Sequence, residues 1–107
     1  MSYAYLGSPY THEDPFVMEQ RYIQAGRVLS RLLHHKIWTY SPIVHCHELA
    51  KIGGLPKDAA FWREYDFFML SNASKMYVLC GEGYDTSKGL AAEIVEAKRI
   101  KIPVEYI

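Results

Sequence analysis

The sequence has no excess charge of either sign: Lys plus Arg number 12, Asp plus Glu number 12, and the formal net charge is zero. A protein that tracks duplex nucleic acid presents a basic face, so that class is set aside. Nor does any run approach the roughly 18 apolar residues needed to cross a bilayer, so no membrane partner is expected. The opening M-S-Y-A-Y lacks the basic and apolar regions of a secretory signal, and a cytoplasmic location is expected. Cysteine is scarce. Cys46 and Cys80 lie in apolar segments and read as reduced thiols rather than a disulfide framework. Repeats and low-complexity stretches are missing too, and 107 residues accommodate one domain, residues 1–107.

What the chain does have is a core. Hydrophobic residues make up 50% of it, which excludes a disordered chain. Tyr3 to Leu6 is a short apolar run stopped by Gly7-Ser8-Pro9 and reads as a strand and loop. Apolar residues at Tyr22, Ala25, Leu29, Leu32 and Leu33 place one face of an amphipathic helix between Phe16 and His35. Ile37 to Ser41 reads as a second strand. Ile43 to Leu55 has no clear period, with one helical turn at His47 to Lys51 before Gly53-Gly54. A third helix is expected from about Asp58 to Ser71, with Pro56 near its start and Asp58 at its cap. Met76 to Cys80 is a strand, a helix follows from Ser87, and Ile102 to Ile107 is the last strand.

That order is β-α-β-α-β-α-β, and its strands are apolar runs rather than alternating ones. Such strands belong to a parallel sheet covered on both faces. The expected architecture is α/β: a small doubly wound parallel sheet, Rossmann-like or flavodoxin-like, with four or five strands and helices on both faces. Ligands in these sheets bind beyond the carboxyl ends of the strands. The turns at Gly7-Ser8 and at Gly81 to Ser87 both open there.

Tyr84 to Lys98, Y-D-T-S-K-G-L-A-A-E-I-V-E-A-K, is the stretch with the most chemistry. Leu90, Ile94, Ala97 and Lys101 recur at helical steps, and Thr86 or Ser87 caps the helix. Gly89 lets a ligand approach the first-turn amides. Glu93, further in, leans back toward the strand end. Gly81-x-Gly83 has neither a third glycine at dinucleotide spacing nor Lys-Ser/Thr at P-loop spacing, so no cofactor is expected. His45-Cys46-His47 is too sparse for a metal site and reads as polar loop residues after a strand. Asp66, in R-E-Y-D-F-F-M-L, sits against aromatic neighbours that raise a carboxyl pKa.

The order Tyr5-Leu6-Gly7-Ser8-Pro9, then Asp66 before a long apolar stretch, then Ser87-x-Gly89-Leu90-x-x-Glu93 resembles the nucleoside 2-deoxyribosyltransferase family. It also resembles that family's smaller cousins, the deoxynucleoside 5′-monophosphate N-glycosidases. S-P-I-V-H-C-H-E-L-A with G-Y-D-T-S-K-G-L-A-A-E-I is most similar to a short branch of phages and bacteria. The likeness covers nearly the whole chain. It implies that Glu93 is the nucleophile attacking the anomeric carbon and Asp66 the acid protonating the departing base. Tyr5, with Tyr3 or a one-residue shift as the alternatives, would hold the nucleophile, and Gly7, Ser8 and Gly89 would lie near the ligand. Ser87 resembles the monophosphate-cleaving cousins, since a carboxylate there would repel a phosphate. The chain departs from many relatives in having Asn72-Ala73-Ser74-Lys75 where they have N-A-D.

Cleaving an N-glycosidic bond builds positive charge on the sugar and negative charge on the base, so it needs an ionised carboxylate and a proton donor. The helix dipole is expected to keep Glu93 ionised while aromatic surroundings keep Asp66 protonated, pushing the two pKa values apart. Tyr10, Trp62 or Phe61 would stack the base. The expected partner is a small nucleotide or nucleoside, with a non-catalytic nucleotide-binding module, sensor or sequestering protein, as the alternative. Many aromatics on a short chain point to a homo-oligomer, a dimer or larger.

Overall fold

A computed structural model describes residues 2–56 and 59–107. Its elements are β1 (Ala4–Gly7), α1 (Pro15–His34), β2 (Thr39–Tyr40), α2 (Pro42–Gly53), α3 (Ala59–Ser71), β3 (Lys75–Val78), α4 (Lys88–Arg99) and β4 (Val104–Tyr106). The expected cap of the third helix, Asp58, lies outside the described residues. All strand pairs are parallel, in the order β2-β1-β3-β4. The fold is therefore the small α/β doubly wound sheet, with four strands.

Alternation along the two central strands assigns the faces. Tyr5 of β1 with Met76 and Val78 of β3 meets Leu70 of α3 and Leu90 and Ala97 of α4. Ala4 and Leu6 with Tyr77 and Leu79 meet Val28, Leu29 and Leu32 of α1 on the other face. Leu33, placed on the buried stripe from its spacing, is exposed instead. The second strand is shorter than Ile37 to Ser41, because Ile37 N–H closes back onto the Leu32 carbonyl at 2.9 Å as the end of α1 unwinds.

The stretch Ile43 to Leu55 departs most from expectation. It is a full helix, α2, and His45-Cys46-His47 are helical rather than loop residues. Both of its ends are built in the usual way. Ser41 Oγ accepts from Val44 N at 3.2 Å, Pro42 occupies the first turn, and Gly54 closes the helix in the left-handed region at φ 66°. Pro42, Cys46, His47 and Ala50 form its buried stripe. Its period was hidden because a proline and a histidine hold positions that a hydrophobic pattern does not count.

At Gly7 the sheet and α4 come closest. A Cβ there would lie 2.5 Å from Met76 Cε and 2.8 Å from Leu90 Cδ1. Gly7→Val is expected to cost about 1–3 kcal/mol by overpacking, read as a lower urea midpoint with an unchanged slope.

Candidate active site

β1 and β3 are adjacent in the sheet yet lead to helices on opposite faces, so a crevice opens past their carboxyl ends. Four elements wall it. The loop after β1 contributes Ser8, Tyr10 and Thr11; α2 contributes Ile43, Cys46 and His47. From α3 come Trp62, Arg63, Asp66 and Phe67, and from α4 Ser87, Gly89, Leu90 and Glu93. The empty volume of this cleft, mouth included, is about 650 Å³. It is a narrow slot widening to solvent.

Glu93 sits at its floor. Ser87 caps α4, its Oγ accepting from Leu90 N at 3.3 Å, and the helical period puts Leu90, Glu93 and Ala97 on the buried face. Tyr5, fully buried on β1, donates its hydroxyl hydrogen to Glu93 Oε2 at 2.5 Å. Tyr3 is engaged elsewhere, donating to the Met69 carbonyl. Burial pushes the Glu93 carboxyl up to about 8; the Tyr5 hydrogen bond opposes this and the nearby Asp66 adds to it. The expectation that the helix dipole holds Glu93 ionised is thus overturned. Dipole stabilisation fades beyond the first turn, whereas the carboxyl is buried and, among the described residues, a neutral phenol is its one hydrogen-bond partner.

Asp66 lines the same slot, half-buried, and burial raises its pKa to about 7. The two acids are therefore displaced in the same direction, not apart. Oδ1 of Asp66 and Oγ of Ser8 are buried with no hydrogen-bond partner among the described residues. Both are free to meet a ligand, whose polar groups would remove the penalty of leaving them bare.

The remaining expected residues divide. Ser8, Tyr10, Trp62, Ser87 and Gly89 face the slot. Gly7 does not; it makes room behind Glu93, whose Oε1 lies 3.5 Å from where a Cβ would stand. Phe61 is outside the lining, its ring edge-on to Trp62 at 5.1 Å. Trp62 is held by its indole N–H on the Pro56 carbonyl at 2.6 Å. Arg63, His47, Cys46 and Ile43 were missed. Arg63 had a signal: it precedes Asp66 by one helical step and so shares its face. The α2 residues had none once that helix was read as irregular.

Behind the slot, His47 gathers carboxylates rather than other histidines. Glu19, His47 and Glu48 bring one ligand atom each within 4.8 Å of one another. Lys51 Nζ lies 3.3 Å from both carboxylates, so an ammonium already holds the place a cation would take. On the other side, Arg21 donates to the Thr11 carbonyl at 3.0 Å and lies against Gly83, tying the loop after β1 to the turn before α4.

A family model described as a domain of unknown function, DUF1937, matches residues 2–107. The chain belongs to this family. No curated protein matches the chain. The cleft of this DUF1937 domain therefore has to be read from its own atoms.

Glu93 yields a direct test of that reading. A carboxyl whose folded pKa is raised from 4.5 to about 8 binds a proton in the folded state that the unfolded chain has already lost. Its contribution is complete below pH 4.5 and disappears as pH rises through 8, so the folded state weakens across that window. Glu93→Gln removes the titration. Relative to the unmodified protein, its unfolding free energy should improve by a few kcal/mol between pH 5 and pH 9, each displaced unit being worth about 1.4 kcal/mol. Parallel denaturation curves at the two pH values check this, and equal differences at both would overturn it.

Proposed function

We propose that this DUF1937 domain cleaves or exchanges the N-glycosidic bond of a (deoxy)nucleoside 5′-monophosphate through a covalent glycosyl–Glu93 intermediate. The observation that carries the proposal is the convergence on one slot, at the carboxyl ends of β1 and β3, of Tyr5-held Glu93 and of Asp66, whose Oδ1 has no hydrogen-bond partner among the described residues. Supporting it is the resemblance in motif order to the nucleoside 2-deoxyribosyltransferases and their monophosphate-cleaving cousins.

Each group has a role. Tyr5 occupies Glu93 Oε2, leaving Oε1 to attack the anomeric carbon. As the carbon–nitrogen bond breaks, its electron pair leaves with the base, which takes a proton from Asp66. A glycosyl ester on Glu93 remains. Water or a second base then attacks the same carbon, Asp66 accepts or redirects the proton, and Glu93 departs as a carboxylate. This cycle needs one proton on the pair, residing on Asp66. In the empty slot both acids are displaced upward, and the positive charge growing on the sugar favours the arrangement with Glu93 ionised. The phosphate would lie at the α4 N-terminus, where Ser87 and the amides near Gly89 offer donors.

One observation favours a second reading, a nucleotide-binding module without chemistry. A neutral Glu93 bound to Tyr5 hydrogen-bonds a ligand without attacking it. The same proposal places the domain in the cytoplasm as a homo-oligomer, since Phe16, Ile52, Phe68 and Val95 are among its exposed apolar side chains.

Incubation with a panel of nucleoside 5′-monophosphates should release free base, with Glu93→Ala slower by at least about a thousandfold, in the range expected for a lost nucleophile. Free base formed equally well by the variant would sink the enzymatic reading. Ligand retained by Glu93→Gln, with no activity in the unmodified protein, would instead establish the binding module. For kcat/KM the expected pH profile is a bell spanning about 7 to 8, where the pair carries a single proton. Ser87→Asp should lower kcat/KM for monophosphates about tenfold or more while sparing the free nucleosides, by placing like charge against the phosphate.

A further inference from the structure

Tyr10 and His47 are buried side by side where the loop after β1 meets α2, and both face the cleft. Their contacts form a chain leading away from it. Tyr10 Oη lies 2.6 Å from His47 Nδ1, and His47 Nε2 lies 2.8 Å from Glu19 Oε1. The imidazole is fixed in orientation as well as in pairing: it stacks on Tyr22 of α1 at 4.1 Å and meets the Tyr10 ring edge-on at 5.6 Å. The charged groups around it are Glu19 on α1 with Glu48 and Lys51 on α2, and Lys51 Nζ also reaches Glu19 Oε1 at 3.3 Å.

Hydrogen counting along this chain has one consistent solution for a neutral ring. Glu19 is held below the usual carboxylate range by its hydrogen bonds to His47 and Lys51, so it is ionised and only accepts. The hydrogen facing it must then sit on His47 Nε2. That leaves Nδ1 bare, able only to accept, and the hydrogen between Nδ1 and Tyr10 must come from the tyrosine. With its hydrogen spent on His47, Tyr10 keeps only lone pairs for the cleft.

We infer that the Glu19–His47 pair is a positioning device that turns the Tyr10 hydroxyl hydrogen away from the cleft, so that Tyr10 meets the ligand as an acceptor and selects a hydroxyl or amino donor there. The orientation of Tyr10 stands apart from the nucleotide reading, whereas the identity of the donor, a base amino group or a sugar hydroxyl, rests on it. A buried acceptor discriminates strongly, because a ligand offering a carbonyl at that point leaves two lone pairs facing each other with no hydrogen between them. Tyr10 is thereby a specificity residue in direct reach of the ligand, and His47 acts through it.

Two measurements on the full chain test this. Long-range proton–nitrogen NMR of the ¹⁵N-labelled protein at neutral pH should show His47 with hydrogen on Nε2 and a bare Nδ1. Tyr10→Phe should move the Nδ1 resonance and leave Nε2 in place. Hydrogen on Nδ1 of a neutral ring, or a His47 imidazolium, overturns the inference whatever the domain binds. The second measurement is calorimetric binding in the Glu93→Gln background, which prevents turnover. The probes are deoxycytidine against deoxyuridine monophosphate, deoxyadenosine against deoxyinosine monophosphate, and deoxyadenosine against dideoxyadenosine monophosphate. At least one pair should show a preference of about tenfold or more for the member with the donor, shrinking to within about twofold in Tyr10→Phe. Equal affinity within every pair overturns the selection. If no probe binds while the Nε2–H form is present, the nucleotide reading fails and the orientation of Tyr10 stands.

Discussion

The hydrogen bond from Tyr5 to Glu93 is the constraint on which the rest of the structure turns. A carboxylate in a hydrophobic core is among the most expensive groups a fold can hold, and the usual remedy is a cation. Here the remedy is a neutral phenol from the neighbouring strand, and the chain accepts a proton on Glu93 instead. Much of the local packing serves that contact. Gly7 has no side chain so that α4 can lie close to β1, Leu90 and Ala97 seat the helix on Met76 and Val78, and Ser87 fixes where the helix begins. A carboxyl kept this way contributes nothing to stability above neutral pH that an amide of the same shape would not exceed. Its presence is better explained by a site than by a fold.

The sheet order explains why the site lies where it does. β1 is flanked by β2 and β3, and the chain leaves these strands toward different faces. Loops therefore diverge past β1 and β3, and the gap between them is walled by whichever helices border it. α4 supplies Glu93 and α3 supplies Asp66, both helices packing on the same face of the sheet. Arg21 braces the two loops at this gap, its guanidinium on the Thr11 carbonyl and against Gly83.

Much of this was legible in the sequence, and the reasons differ by element. β1, β3 and α4 are short apolar runs or strongly periodic stretches bounded by glycine and serine, so local pattern and tertiary packing agree. Asp66 stands out as an acid among aromatic neighbours, and Glu93 as a carboxyl inside a capped helix that leans back toward the strand end. The protonation of Glu93 was misread because a sequence shows the nearby helix start but not the depth of burial, and burial decides. α2 was hidden for a related reason. Its inward face sets Pro42 and His47, which a hydrophobic period does not register, beside Cys46 and Ala50, although Ser41-Pro42 and Gly53-Gly54 mark both of its ends. Losing α2 meant losing one wall of the cleft, and with it the contact between Tyr10 and His47.

The polarity of the slot carries the argument one step further. Its lining holds two acids displaced toward their neutral forms, Ser8 Oγ and Asp66 Oδ1 without hydrogen-bond partners among the described residues, and one guanidinium at the exposed Arg63. No lysine or arginine touches Glu93 among the described residues. An ionised Glu93 is therefore unfavourable in the empty cleft and becomes favourable only when positive charge arrives beside it. Under the proposed glycosidic cleavage, Glu93 would be switched on as a nucleophile by its own reaction: the charge that develops as a leaving group departs is the charge the carboxylate lacks. Interaction that exists only in the transition state raises the rate without tightening the ground state. A cation fixed beside Glu93 would have made the domain more stable and the carboxylate permanently charged, and it would have removed that difference.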